Sequence, residues 1–251
     1  MPQRSTTRWF GARPDVVVHQ LTAIPARLNV RRIDRDFALT NRLLTEGTDH
    51  LIAAARAAGA RRLVVQSFTG WPYAREGGPV KDEDDPLDPS PPARLAPILE
   101  AIRHHEAAVV GAEGLEGVVL RYGALYGPGT SFSDDGTVTQ DVRRRRFPLV
   151  GDAGGVWSFV HVEDAAGATV AAVERGAPGI YNVVDETPPP SRSGCPPSRP
   201  PWARSGRAAY SHPAGGPPGR PELSHRSFRE EYGSAALAAE LRGVGHLDRS
   251  S

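Results

Sequence analysis

The residues best suited to chemistry in this sequence sit at the ends of apolar runs. Ser67 and Thr69 follow one run in QSFTGWPY, and Tyr126 follows another in RYGALYGPGT. His161 and Asp164 close a third, VWSFVHVED, which also holds Trp157, and His19 ends PDVVVH. Hydroxyl, phenol, imidazole and carboxyl groups can hold a substrate oxygen or move a proton. Each residue also has a structural reading. Ser and Thr favour strand ends as turn formers, and a histidine after a strand is commonly packed and hydrogen-bonded. Asp164 suits the N-cap of a following helix, and Tyr126 and Trp157 are core by default. Arginines 143–146 have the forked geometry that grips phosphate, although a solvated helix face is the preferred reading. The acidic run 81–85 lacks calcium-loop spacing. No Cys/His cluster suggests zinc, and no G-x-S-x-G marks a serine hydrolase, so no metal is expected.

These positions need a scaffold, and the hydrophobic pattern supplies one. Residues 14–23 read as a buried strand ending near His19 and Gln20. Residues 36–58 read as a helix with Leu39, Leu43, Leu44, Leu51, Ile52 and Ala55 on one face and Gly59 just past its end. ARRLVVQS (60–67) is the next strand, followed by a long polar loop, a helix over 95–112 and a strand over 115–123. A short helix over 138–146, an extended 156–162, a helix over 164–175 and a strand over 179–184 complete the pattern. Continuously apolar strands alternating with helices predict an α/β fold, a Rossmann-like doubly wound parallel sheet covered on both faces. In such sheets ligands bind beyond the carboxyl ends of the strands.

Composition narrows the function classes. The 251 residues suffice for one large domain. A net charge of +1 gives no global field for nucleic acid or an anionic membrane. The single cysteine, Cys195, rules out an intrachain disulfide framework and fits a reducing cytosol. No apolar run reaches the ~18 residues of a membrane span, so the expectation is a cytoplasmic protein with a small-molecule substrate. A seam follows residue 187. Residues 188–221 carry eleven prolines and almost no apolar periodicity, a composition that cannot offset chain entropy by burial. The expected organisation is a leader (1–13), a partial dinucleotide-binding domain (14–187) and a poorly ordered tail (188–251) with a short helix over 227–241.

Five segments in order resemble the extended short-chain dehydrogenase/reductase superfamily, the NAD-dependent epimerase/dehydratase group. PDVVVHQLTA resembles its D-x-V-x-H-x-A-A strand. EGTDHLIAAARAAGARRLVVQS resembles GT-x-N-L-L-x-A-A followed by a strand ending S-S. LRYGALYGPGT resembles L-R-x-x-x-x-Y-G-P-G, FVHVEDAAGATVAAVERG resembles F-V-H-V-D-D-x-A, and YNVVDE resembles Y-N-V-G. The resemblance implies NAD or NADP across the strand ends. Leu21, Thr22 and Ala23 would lie beside the adenosine ribose and pyrophosphate, Gln66 at the next strand end, and Gly123 and Ala124 near the nicotinamide. It implies a catalytic hydroxyl at Ser67 or Thr69, and a substrate pocket lined by Tyr126 and Trp157. Tyr73 matches the tyrosine of the family's V-Y-G, which is not the catalytic one.

Three departures stand out. The glycine-rich G-x-x-G-x-x-G turn that seats the pyrophosphate at a helix N-terminus is absent, so the domain reads as incomplete and its first strand as an unprotected edge. The Tyr-x-x-x-Lys pair, in which lysine lowers the tyrosine pKa for proton transfer, is also absent. With Glu106 aligned to the family's glutamate, the pair falls on Ile98 and Ile102. Arg103 points elsewhere, and His104 and His105 read as a solvated helix surface. After residue 187 the family pattern gives way to a Pro/Arg/Ser/Gly mixture that reads like translation out of frame. The leading functional reading is an NAD(P)-dependent epimerase/dehydratase-like oxidoreductase of a small or sugar-like carbinol, weakened by Ile98 and Ile102. The alternatives are a non-catalytic NAD(P)-binding regulator, or an inactive truncated and frameshifted product. Oligomeric state is left open.

Overall fold

The computed structural model describes residues 13–25, 28–70, 72–74, 76, 81–146, 158–185 and 208–211. Trp157, residues 1–12 and the expected helix over 227–241 lie outside the described residues. In chain order the strands are β1 (Val16–His19), β2 (Arg62–Phe68), β3 (Glu116–Tyr122), β4 (Ala124–Tyr126), β5 (Phe159–His161), β6 (Gly179–Asp185) and β7 (Ala208–Ser211). The helices are α1 (Ile33–Asp36), α2 (Ala38–Arg42), α3 (Thr48–Ala57), α4 (Ala96–Val110), α5 (Thr137–Arg143) and α6 (Val162–Glu174). The strand order is β1-β2-β3-β6-β7, with β4 and β5 in a separate pair. β1 runs parallel to β2, β2 to β3, and β4 to β5. The fold is therefore α/β with parallel sheet.

The chain packs as two units, Met1–Tyr122 with Thr169–Asn182, and Gly123–Ala168 with Val183–Ser251. In the first unit, Leu63, Val65 and Val119 meet Ile52, Ala55 and Val109 from α3 and α4. Val64, Val118 and Leu120, alternating to the other sheet face, are 0% exposed as well. Arg62 shares that face and donates through Nη1 to the Ala172 carbonyl of α6 at 2.6 Å. Burial on both faces is why these strands read as unbroken apolar runs, each such side chain contributing about 1.5–3 kcal/mol. Gly117 lets α4 lie directly on β3, because a Cβ there would meet the Val109 carbonyl oxygen at 2.1 Å.

Two expectations are corrected. The helix over 36–58 is not one cylinder. Its helical path begins at Ile33, turns at Phe37 and widens into a π-turn over Leu43–Gly47 before α3. Each irregularity re-phases the apolar face, so Leu39 is 57% exposed while Thr40 is buried. Asp164 is not an N-cap: α6 begins at Val162, which puts Glu163 and Asp164 inside the first turn, where their charge favours the positive helix end. Gly59 sits as expected past the end of α3, with φ of +77°. β1 is shorter than the expected run, and Val18 is 45% exposed at this end of the strand order.

Candidate active site

In the first unit the carboxyl end of β2 is the chemical focus. Ser67 Oγ donates to Glu106 Oε1 of α4 at 2.6 Å. Arg121 of β3, paired in register with Ser67, grips the same carboxylate in a fork, Nε to Oε1 at 2.9 Å and Nη2 to Oε2 at 2.7 Å. Both side chains are only 4% exposed. Arg121 Nη1 also donates to the Tyr73 hydroxyl at 3.1 Å, and that hydroxyl donates to Asn182 Oδ1 at 2.7 Å. Thr69 Oγ1 donates to the same Tyr73 oxygen at 3.3 Å. Burial opposes the charge on Arg121, but Glu106 and Tyr73 more than offset it, and its pKa is raised. The result is a buried polar chain from β2 through α4 and β3 to β6. Ser67 commits its proton to Glu106 within that chain, and Thr69 is buried beside Tyr73.

The same helix carries the positions that resemblance assigns to a proton relay. Ile98 and Ile102 are 2% and 4% exposed and carry no ionisable group. Arg103 donates to the Asp88 carbonyl. His104 pairs with Asp49 at 2.9 Å on the surface, as expected. His105 corrects the expectation of a solvated face, for it is 1% exposed. Its Nδ1 lies 2.6 Å from Thr48 Oγ1 and its Nε2 3.0 Å from the Gln66 carbonyl. His19 stands edge-on at 5.8 Å. Desolvation, then the nearby His19, push the His105 pKa down from 6.5 to about 4. Burial lowers that of His19 as well. A neutral, packed histidine pair results.

Among the residues tied by resemblance to the cofactor, Leu21 is 65% exposed and Thr22 is exposed. Ala23 N–H is held by Thr40 Oγ1 at 3.1 Å, and Gln66 Nε2 donates to the Gln20 carbonyl at 3.2 Å. Leu21 and Ile24 are 65% and 49% exposed beyond the carboxyl end of β1. No glycine-rich turn to hold a pyrophosphate occurs among the described residues.

In the second unit Gly123 N–H is bonded to the Val183 carbonyl at 3.1 Å, and Ala124 N–H to the Ser158 carbonyl at 2.9 Å. Tyr126 is 3% exposed, edge-on to His161 at 5.1 Å, and its hydroxyl donates to Asp185. Burial, then the Asp185 charge, raise the Tyr126 pKa. Burial first, and Asp164 further, push the Asp185 carboxyl up to about 7. Burial also raises Asp164. Sequence reasoning missed Arg121, Asn182, Asp185 and Thr48. One signal was available: an arginine inside the apolar run VVLRY requires a buried carboxylate partner.

The parallel strands and the polar chain at their carboxyl ends place the molecule among α/β dinucleotide-fold proteins. The profile of the NAD dependent epimerase/dehydratase family matches residues 2–183, and the chain belongs to that family. It is 48% identical over 190 residues to a 3-diazoavenalumate denitrifying reductase from a Streptomyces species, covering 72% of this chain and 58% of that one. The Thermus thermophilus UDP-glucose 4-epimerase in complex with NAD superposes with a TM-score of 0.55 at 26% identity, covering 75% of this chain and 62% of the epimerase. RMD from Pseudomonas aeruginosa, complexed with NADPH, gives 0.54 at 21% identity, covering 72% and 64%. The chain thus spans less than two thirds of each of these relatives. Among the described residues no helix is long and apolar enough to cross a membrane, and no cluster could hold a metal ion.

Proposed function

We propose that the chain is an NAD(P)H-dependent reductase of this family whose acceptor is a diazo compound rather than a carbinol or ketone. The carrying observation is the burial of Ile98 and Ile102, 2% and 4% exposed, where the family resemblance places tyrosine and lysine. When bound, the cofactor supplies hydride. Hydride chemistry at a carbinol carbon also requires a proton to enter or leave the oxygen, a step that a Tyr-x-x-x-Lys relay would perform and that Ile98 and Ile102 of α4 cannot. An aryl diazonium that accepts hydride loses neutral N₂ and forms a C–H bond, with no oxygen to protonate. The 48% identical relative is named for such a denitrifying reduction. This chain's own residues bind and orient. Leu21, Thr22 and Ala23 meet the nucleoside, with Gln66, Gly123 and Ala124 assigned to the cofactor by resemblance. Ser67 and Thr69 are the hydroxyls assigned to the substrate end by resemblance, each donating within the polar chain, Ser67 to Glu106 and Thr69 to Tyr73.

The test incubates the full chain with 4-deuterated NADH or NADPH and an aryl diazonium. Expected is N₂ release with deuterium at the carbon that lost nitrogen, and no turnover of alcohols or sugar nucleotides. Turnover of a carbinol without diazo reduction refutes the reading. The same two isoleucines also support a second reading, a non-catalytic NAD(P)-binding protein, which predicts saturable cofactor binding with no turnover of either class.

A further inference from the structure

The second unit gathers titratable groups that the polar chain of the first unit does not use. Tyr126 from the end of β4, His161 from the end of β5, Asp185 from the end of β6 and Asp164 from the first turn of α6 converge there. Carboxyl ends of strands in α/β folds are where ligands bind. Asp185 is 9% exposed. Its carboxyl accepts from the Tyr126 hydroxyl and the His161 backbone N–H, yet its Oδ1 is buried with no hydrogen-bond partner. A buried polar atom left unpaired is costly, and each one in a folded protein calls for a partner or a role.

We propose that this cluster is a ligand site in which Asp185 Oδ1 shares a proton with a carboxylate oxygen of a small organic acid. The carboxyl is poised for it. Desolvation, reinforced by Asp164, holds its pKa at about 7, so near neutrality a large share of molecules carry a proton on Asp185. That proton makes Asp185 a donor, and an anionic oxygen is the strongest acceptor for it. The Tyr126 hydroxyl fixes the orientation of the carboxyl. His161 Nδ1 accepts the Glu163 N–H at 3.3 Å, which leaves its Nε2 as the protonated nitrogen. That atom is packed against Gly127, where a Cβ would come within 2.6 Å of it at a φ of +110°. The groups facing Asp185 are therefore the Tyr126 hydroxyl from β4, the His161 backbone N–H from β5 and the Asp164 carboxyl from α6. A metal is the poorer occupant, because no cluster of metal-ligating groups exists among the described residues.

The experiment titrates the full chain with benzoate by calorimetry, without cofactor, at pH 6 and pH 8. Wild type is expected to bind about tenfold tighter at pH 6, the ratio of protonated Asp185 at the two pH values for a pKa near 7. Asp185→Asn, which stays neutral, is expected to bind with the same affinity at both. Absence of saturable binding to wild type, a pH-independent wild type, or an Asp185→Asn variant that keeps the tenfold change each overturns the proposal. If Asp185→Asn loses its native circular dichroism, Tyr126→Phe takes its place. Removing the phenol destabilises the ionised carboxyl, so the midpoint of the pH dependence must rise, and an unchanged midpoint overturns the proposal. Because no hydride is transferred, the outcome is independent of the proposed reductase activity.

Discussion

Replacing Arg121 with methionine tests whether the buried polar chain holds the first unit together. The variant loses two charge-assisted bonds to Glu106, at 2.9 and 2.7 Å, and one to Tyr73 at 3.1 Å. Glu106, 4% exposed, would keep only the Ser67 hydroxyl as a donor. Removing one partner of a buried ion pair costs about 3–5 kcal/mol, chiefly because the other charge stays buried and uncompensated. Against a total stability of roughly 5–15 kcal/mol this is a large fraction. Urea denaturation of the full chain, followed by far-ultraviolet circular dichroism, reads the loss as a lower midpoint at unchanged slope. The double variant Glu106→Leu/Arg121→Met removes both charges and leaves mainly the Ser67 hydroxyl unpaired, at about 1 kcal/mol. It should be more stable than Arg121→Met alone. The reasoning is refuted if Arg121→Met costs under about 1 kcal/mol, or if the double variant is the less stable of the two.

Two further outcomes follow from the packing. His105 is neutral when folded, with its pKa lowered from 6.5 to about 4. Below pH 6.5 the unfolded chain therefore binds more protons, and the stability this group contributes is fully present above 6.5 and falls as pH drops toward 4. His105→Gln should flatten that part of the pH dependence in urea melts between pH 7 and pH 5. Gly117→Ala forces a Cβ into the Val109 carbonyl, 2.1 Å away. It should destabilise by about 3 kcal/mol, the upper range for overpacking, seen as a lower melting temperature, whereas Gly114→Ala has open space and meets only the strain of its φ of +77°.

The strands were readable because burial on both faces leaves an unbroken apolar signature at residues 63–65 and 118–120, where every side chain is 0% exposed. Helix α4 was placed to within two residues at either end. The irregular helix before α3 was not. A π-turn is made by one extra residue per turn, and Leu43–Gly47 contains nothing a propensity scale marks as unusual. The end of β1 was overread because residues 20–23 (QLTA) continue the strand-like pattern beyond His19, where β1 stops. At the candidate site, Ser67 and Thr69 could be placed on a strand end, but their partners could not. Glu106 is 39 residues from Ser67, and Asn182 is 109 from Tyr73. Such pairings are set by sheet order and helix crossover, which local sequence does not encode. His105 misled for the same reason: the Thr48 that receives it lies 57 residues away.

The ion pair between α4 and β3 also bears on how the chain reaches its fold. Side chains alternate across a sheet, so a one-residue slip of β3 against β2 would turn Arg121 to the opposite face. The apolar run around it, Val118 to Leu120, would tolerate that slip, since both faces are apolar. Arg121 would not: it would be buried away from Glu106, and each charge would stand alone. An otherwise ambiguous strand thus carries a single residue that makes the wrong pairing expensive, and the arginine fixes the register of the sheet.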